Sequence, residues 1–197
     1  MLTVKQDEPQ LYLASTSPRR RELLRQLGVI FQTLPVDIDE SCLSHEHASD
    51  YVRRMALEKA RAGQRSLGDH SIPVLGSDTA VVLADEIFGK PTSRQHAVDM
   101  LSALSGKTHE VLTSVAVVNS EQEKVCLHTS QVTFKSLSEE EIVQYWETGE
   151  PADKAGAYAI QGKAGRFITH MSGSFSAVMG LPLYETAELL AEFDVRV

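Results

Sequence analysis

Cysteine is scarce in this chain. Only Cys42 and Cys126 occur among 197 residues, and neither stands in a CxxC pair. A disulfide framework and a thiolate zinc site are therefore excluded; two free thiols in a reducing compartment are expected, with a single disulfide as the alternative. No run of 18 apolar residues exists, so no membrane-spanning helix is expected. The opening MLTVKQDEPQ lacks the basic-then-apolar layout of a secretory signal. It reads as a flexible tail over residues 1–10, and the location as cytoplasmic. Positive charge is also short: 19 Lys and Arg stand against 27 Asp and Glu, a net charge of −8. Such a chain is repelled by nucleic-acid backbones, so nucleic acid is excluded as a general partner. A small anion stays admissible only where cations gather locally. The Walker A pattern, HExxH and GxSxG are all absent. His45 and His47 lie two apart in a polar stretch, which reads as surface loop rather than a metal site.

What the chain does have is 42% hydrophobic and 23% charged residues, an ordinary globular profile for one domain over residues 11–197. LYLA at 11–14 reads as a short buried strand. Ser17-Pro18 opens a helix that runs to Leu27 and stops at Gly28. VIFQTLPV at 29–36 reads as the next strand, and 49–65 as a helix with the stripe Val52, Met55, Ala56, Ala60. VLGSDTAVVL at 74–83 is strand-like and turns at Ala84-Asp85-Glu86. Thr92 or Ser93 caps a third helix. The segments 111–118 and 125–134 form a hairpin around NSEQE, and Ser138 with Glu141 makes a capping box for a fourth helix. YAIQ and RFITH suggest two short strands, and 182–193 a final helix. Alternating helices and strands with hairpins mixed in predict an α/β fold with a mixed β-sheet and flanking helices.

Several residues fit poorly with structure alone. Arg19, Arg20 and Arg21 stand in the first turn of the first helix, where cations oppose the macrodipole by roughly 0.3–1 kcal/mol each. With the free N–H groups of that turn they would make an anion site; three solvated arginines are the bland alternative. Asp78 interrupts an apolar strand, where a carboxylate is costly unless paired, hydrogen-bonded or bound to metal. Lys59 falls on the apolar stripe of its helix, where by itself it reads as a side chain that snorkels to water. Lys90, held extended by Pro91, projects into a cleft or into solvent. Gln161-Gly162 closes the run DKAGAYAIQG as a turn or a site edge.

The blocks LYLASTSPRRRELLRQLG, VLGSDTAVVL with GKP, LSGKTHEVLT, DKAGAYAIQG and GLPLYET occur together and in order from Leu11 to Phe193. In this the chain resembles the Maf family of nucleoside triphosphate pyrophosphatases, once linked to inhibition of septum formation. The resemblance implies an elongated, two-lobed single domain around a central cleft, and a homodimer. It implies Asp78 as the catalytic carboxylate, and Ser15, Arg19, Arg20, Lys59 and Lys90 as phosphate ligands. It further implies that Glu40 of VDIDE joins Asp78 in holding Mg²⁺ or Mn²⁺. One branch of the family looks like dTTP/UTP pyrophosphatases, with Arg after SP, Thr after the catalytic Asp and Gln before Gly. A second branch prefers 7-methyl-GTP and carries Trp, Gln and Glu there. Arg19, Thr79 and Gln161 resemble the first. The expected substrate is therefore a nucleoside triphosphate, dTTP or UTP, cleaved to the monophosphate and pyrophosphate. A 7-methyl-GTP pyrophosphatase and a non-catalytic nucleotide-binding regulator of division are the alternatives.

Overall fold

A computed structural model describes residues 9–68 and 71–197; most of the expected tail, residues 1–8, lies outside the described residues. In chain order the elements are β1 (Leu11–Leu13), α1 (Pro18–Gln26), β2 (Phe31–Thr33), α2 (Ala48–Leu67), β3 (Val74–Leu83), β4 (Glu86–Phe88) and α3 (Arg94–Leu104). Then follow β5 (Thr108–Val118), β6 (Glu123–Phe134), α4 (Glu139–Glu147), β7 (Ile168–Ser172), α5 (Phe175–Met179) and α6 (Leu183–Ala191). The seven strands form one sheet in the order β2-β1-β3-β5-β6-β7, with β4 pairing β3. The β1 pairings with β2 and β3 are parallel and the others antiparallel, so the sheet is mixed as expected. Cys42 and Cys126 are both free thiols. Among the described residues no helix is long and apolar enough to cross a membrane.

Local chemistry fixes most helix ends. Ser17 accepts from the Arg20 amide with Pro18 inside the first turn, Ser93 accepts from His96 N–H, and Ser138 with Glu141 completes the capping box. Three expectations fail. YAIQ is not a strand but a turn into the 3₁₀ segment Lys163–Phe167, because side chains rather than a neighbouring strand take backbone donors there. The RFITH strand starts later, at Ile168, since Arg166 and Phe167 belong to that 3₁₀ segment. The strand at 29–36 shrinks to Phe31–Thr33, the length over which β1 offers partners. The five-residue helix α5, held by the Ser174 cap, has no counterpart among the sequence-based expectations.

Strand β3 organises the molecule. Along nearly its whole length one edge pairs with β5, from Val74↔Val118 to Val82↔Glu110. Its other edge pairs with β1 only at Val74 and Leu75, and with β4 only at Val81 to Leu83. The middle of that edge, residues 76–80, is left open. Burial follows: only Asp78 and Thr79, with the terminal Leu83, are not fully buried in this strand.

Two cores flank the gap. One joins Leu11, Leu13, Leu23, Leu24, Leu75, Val115, Val117 and the α6 residues Leu189 and Leu190. The other joins Val81, Phe88, Val111, Met100, Leu104, Phe134, Tyr145 and Phe167. Both use the same face of β3 and β5, so the polar residues midway along the strands sit between two hydrophobic bodies. On the opposite face α2 lies against the sheet through Ala56 and Ala60, which cluster with Ala116 and Val118. Gly76 makes this approach possible: a Cβ there would collide with the Ala56 carbonyl oxygen and stand 2.6 Å from the Ala60 nitrogen.

Gly76→Ala is therefore expected to lose about 1–3 kcal/mol of stability through overpacking against backbone, whereas Gly89→Ala, with open space around its Cβ, stays within about 0.5 kcal/mol. Urea unfolding of the two variants decides this. A second expectation concerns His109, buried at 2% exposure among Phe134 and Tyr158, with Nε2 on the Tyr158 hydroxyl at 2.8 Å. Burial lowers its pKa to about 4 from the ordinary 6.5. The unfolded chain then binds more protons than the native one between those values, so stability falls as pH drops from 6.5 to 4. The full loss is on the order of 3 kcal/mol. The slope should flatten in His109→Gln, as urea midpoints compared at neutral pH and at the acid end of that window will show.

Candidate active site

A cleft of about 570 Å³ opens over the unpaired edge of β3. Because the edge is open, side chains from both faces of the strand reach it: Asp78 from the α2 side and Thr79 from the other. The cleft also gathers Ser15, Arg19, Arg20, Glu40, Tyr51, Lys59, Lys90, Lys154 and Gln161. All the site residues implied by the resemblance thus line one cavity, supplied by β1–α1, the 34–47 loop, α2, β3, the β4–α3 connection and the 153–161 segment. Arg21, the third arginine of the α1 first turn, does not line it.

The α1 N-terminus is built around Ser15 and Ser17. Ser15 is buried and its Oγ accepts from the Ser17 N–H at 3.1 Å, which sets the chain reversal after β1. No acidic residue stands in the first turn of α1, so the helix dipole there is unopposed except by an incoming anion. The two neighbouring arginines have different surroundings. Arg20 donates from Nε to the Gly180 carbonyl at 3.0 Å and from Nη2 to the Thr79 hydroxyl at 3.4 Å. Burial lowers its pKa below the ordinary guanidinium value, and the Asp78 charge opposes that shift. Arg19 instead faces Asp153 at 3.8 Å across the cleft.

On the other wall, Lys59 does not snorkel. Its side chain is only 11% exposed, and its Nζ lies 2.7 Å from Asp78 Oδ1 and 2.6 Å from Glu40 Oε1. The ammonium is shared between a carboxylate that is 13% exposed and one that is 50% exposed. Burial raises the Glu40 pKa, but the Lys59 hydrogen bond and charge, with Lys90 and Arg20 beyond, outweigh it and leave Glu40 below the ordinary glutamate value. Tyr51, eight residues before Lys59 on α2, donates its hydroxyl to the Glu40 carbonyl at 3.0 Å. Burial, then the Asp78 and Glu40 charges, push that phenol up to about 12, so it remains protonated.

Two carboxylate oxygens converging on one cationic atom form a hard-donor set that suits a divalent cation. No group of three or more His, Cys, Asp or Glu able to hold a metal exists among the described residues. A cation here would need phosphate and water oxygens to complete its shell. That is the usual situation for Mg²⁺, which keeps waters and shares itself between one or two carboxylates and substrate phosphates.

Gln161 is exposed on the cleft rim, and the loop presenting it is clamped from below. Glu150 takes the Tyr145 hydroxyl at 2.7 Å and the backbone N–H groups of Lys163 at 3.1 Å and Ala164 at 3.4 Å. Tyr145 in turn accepts from the Ala159 N–H at 3.1 Å. Burial raises the Glu150 pKa, but these donors prevail and lower it overall. Gly162 belongs to the clamp, because a Cβ there would collide with the Glu150 carboxylate.

The family pattern described as Maf-like protein matches residues 10–193. The chain belongs to the Maf family. Among its relatives, a dTTP/UTP pyrophosphatase of Alkalilimnicola ehrlichii is 52% identical over 95% of this chain and 94% of its own length. The dTTP/UTP pyrophosphatase of Xanthomonas euvesicatoria is 54% identical over 94% of this chain and the whole of its own. That of Salmonella typhimurium is 51% identical over 93% of each. In this Maf chain, three cleft residues escape sequence reasoning. Tyr51 shares the cleft-facing side of α2 with Lys59, and that spacing is a usable signal. Asp153 and Lys154 open the DKAGAYAIQG block, and Lys154 pairs with Asp153 while only 14% exposed.

Removing the clamp should loosen the Gln161 loop without touching Arg19, Arg20, Lys59 or Lys90. Glu150→Ala is expected to cost about 2 kcal/mol, since the buried Tyr145 hydroxyl and Ala164 N–H lose a charged acceptor. Amide exchange should accelerate at Lys163 and Ala164, and hydrogen-exchange measurements on the variant check both.

Proposed function

We propose that this chain hydrolyses dTTP and UTP to the nucleoside monophosphate and pyrophosphate, by attack of water on the α-phosphorus. The observation that carries the reading is the set of cations around Asp78: Arg19, Arg20, Lys59 and Lys90 line the same cleft as one carboxylate on the open edge of a buried strand. The names of relatives sharing half of all residues along nearly the full length support the pyrimidine nucleotides as substrates. Two free thiols suit a cytoplasmic location, and the family resemblance favours a homodimer.

In this reading the triphosphate enters with its negative charge toward the α1 N-terminus. Ser15 and the uncapped Arg19 N–H of the first turn of α1 take phosphate oxygens, and Arg20, fixed at two points of its guanidinium, offers its remaining N–H groups. Lys90 and Arg19 close on the outer phosphates, Arg19 leaving Asp153 for a more highly charged partner. Lys59 stands between Asp78 and the phosphates and stabilises charge that grows on the leaving pyrophosphate. Asp78 orients the attacking water and accepts its proton. Asp78 and Glu40 would hold Mg²⁺ or Mn²⁺, which when bound neutralises phosphate oxygens and makes water more acidic. Thr79 and Gln161 would distinguish bases. The Gln161 amide both donates and accepts, as a pyrimidine edge requires.

The test is a panel of dTTP, UTP, GTP and 7-methyl-GTP assayed for pyrophosphate release, with and without chelator. Pyrophosphate from dTTP and UTP, abolished by chelator, is the expected outcome. Orthophosphate with a nucleoside diphosphate would exclude attack at the α-phosphorus, and preference for 7-methyl-GTP would move the chain to the other branch. Asp78→Asn should stay folded and lose roughly 10²–10⁴-fold in kcat, the scale of a lost proton acceptor.

A further inference from the structure

The face of β3 and β5 that carries both cores is apolar except for one band. Ser77 and Thr79 on β3 and Thr113 on β5 lie between the two hydrophobic clusters, and Thr79 and Thr113 are directly paired across the ladder. Ser77 and Thr113 are fully buried at 0% exposure. Hydroxyls in such a place must be partnered. Their partners are carbonyls of α5 and its C-terminal cap: Ser77 donates to Gly180 O at 2.9 Å and Thr113 to Ala177 O at 2.7 Å.

The band continues to the cleft. Thr113 Oγ1 donates to the Thr79 hydroxyl oxygen at 3.0 Å as well as to Ala177 O, so its one proton is shared between two acceptors. The Thr79 oxygen that accepts from Thr113 also accepts from Arg20 Nη2 at 3.4 Å. Thr113 and Arg20 thus meet on one hydroxyl oxygen, and Ala177 O anchors the buried end of the chain. The second guanidinium contact, from Arg20 Nε, ends on the carbonyl of Gly180, the C-terminal cap of the same helix α5. Gly180 has φ +116°, a conformation that glycine adopts without strain, and so delivers its carbonyl to both Ser77 and Arg20.

We infer that Thr113, which does not line the cleft, is a positioning residue: through the Thr79 hydroxyl it fixes the guanidinium of Arg20 in the orientation that meets the triphosphate. The inference rests on the reading of Arg20 as a phosphate ligand. A merely satisfied core hydroxyl would need Ala177 O alone. Thr113 also orders the hydroxyl above it, and one guanidinium held at two points presents its remaining N–H groups in a fixed plane.

The experiment is a double-mutant cycle on dTTP hydrolysis, with melting temperature followed in parallel. Thr113→Val should lower kcat/KM roughly tenfold through misplacement of Arg20. Thr113→Ser, which restores the hydroxyl, should return it to within about twofold of wild type. In an Arg20→Ala background Thr113→Val should cost nothing more, whereas a purely structural role would cost as much in both backgrounds. An equal loss in the two backgrounds, or full activity in Thr113→Val where Arg20→Ala is impaired, overturns the inference. Should Thr113→Val fail to fold, Thr113→Ala removes the same hydroxyl with less bulk and is read by the same cycle. Wild-type activity in Arg20→Ala would instead overturn the reading of Arg20 itself, a result separable from failure of the relay.

Discussion

Helix α2 rests on β3 at Gly76 with no side chain between the two backbones, and this contact sets the depth at which Lys59 meets Asp78. An ammonium and a carboxylate that are each little more than a tenth exposed are held by one another. Removing Lys59 takes from a largely buried Asp78 its direct ion pair, which is damaging in a dry site, whereas removing Asp78 leaves Lys59 still paired with Glu40. Glu40 makes the arrangement asymmetric. It reaches the same ammonium from a half-exposed loop position, so Lys59 is shared between a fixed carboxylate and an accessible one. A polyanion entering the cleft competes for that shared cation against Glu40 more easily than against Asp78.

The cleft itself follows from sheet topology. Strand β3 is long enough to serve two cores, but its neighbours β1 and β4 are each short and meet it only at its ends. The gap between them exposes a strand edge without exposing either hydrophobic cluster. Opposite faces of a strand ordinarily serve different surroundings; at an open edge they meet in one cavity. That is how Asp78, backed by α2, and Thr79, backed by α5, come to line the same space.

Much of this is legible in the chain. Asp78 stands out as a carboxylate in an apolar strand, Lys59 as a cation on an apolar stripe, and Arg19 and Arg20 as cations at the wrong end of a helix. Each of these oddities lies on the cleft, because each is a local rule broken and then compensated from elsewhere. The compensation is not legible. Nothing near Lys59 in sequence announces that Asp78 and Glu40 share it, nor that neighbouring arginines go to Gly180 and Asp153, since those contacts join distant segments. YAIQ misleads for the same reason: its short apolar run suits a strand, but Tyr145 and Glu150 rather than a ladder take the donors in and just after it. The helix α5 is too short for periodicity to reveal.

Local charge reconciles an acidic chain with an anionic ligand. The protein carries −8 overall, yet Arg19, Arg20, Lys59, Lys90 and Lys154 line one cavity against Glu40, Asp78 and Asp153. Cations thus prevail inside the cleft while carboxylates prevail over the whole chain. Charges farther apart than about 8 Å are largely screened at physiological salt, so a small polyanion within the cavity experiences mainly the cations around it. A nucleic-acid backbone, which must lie along an extended surface, encounters the acidic exterior as well. The same distribution that disfavours a polymer therefore admits a free triphosphate, and it does so through the placement of a few side chains rather than through net charge.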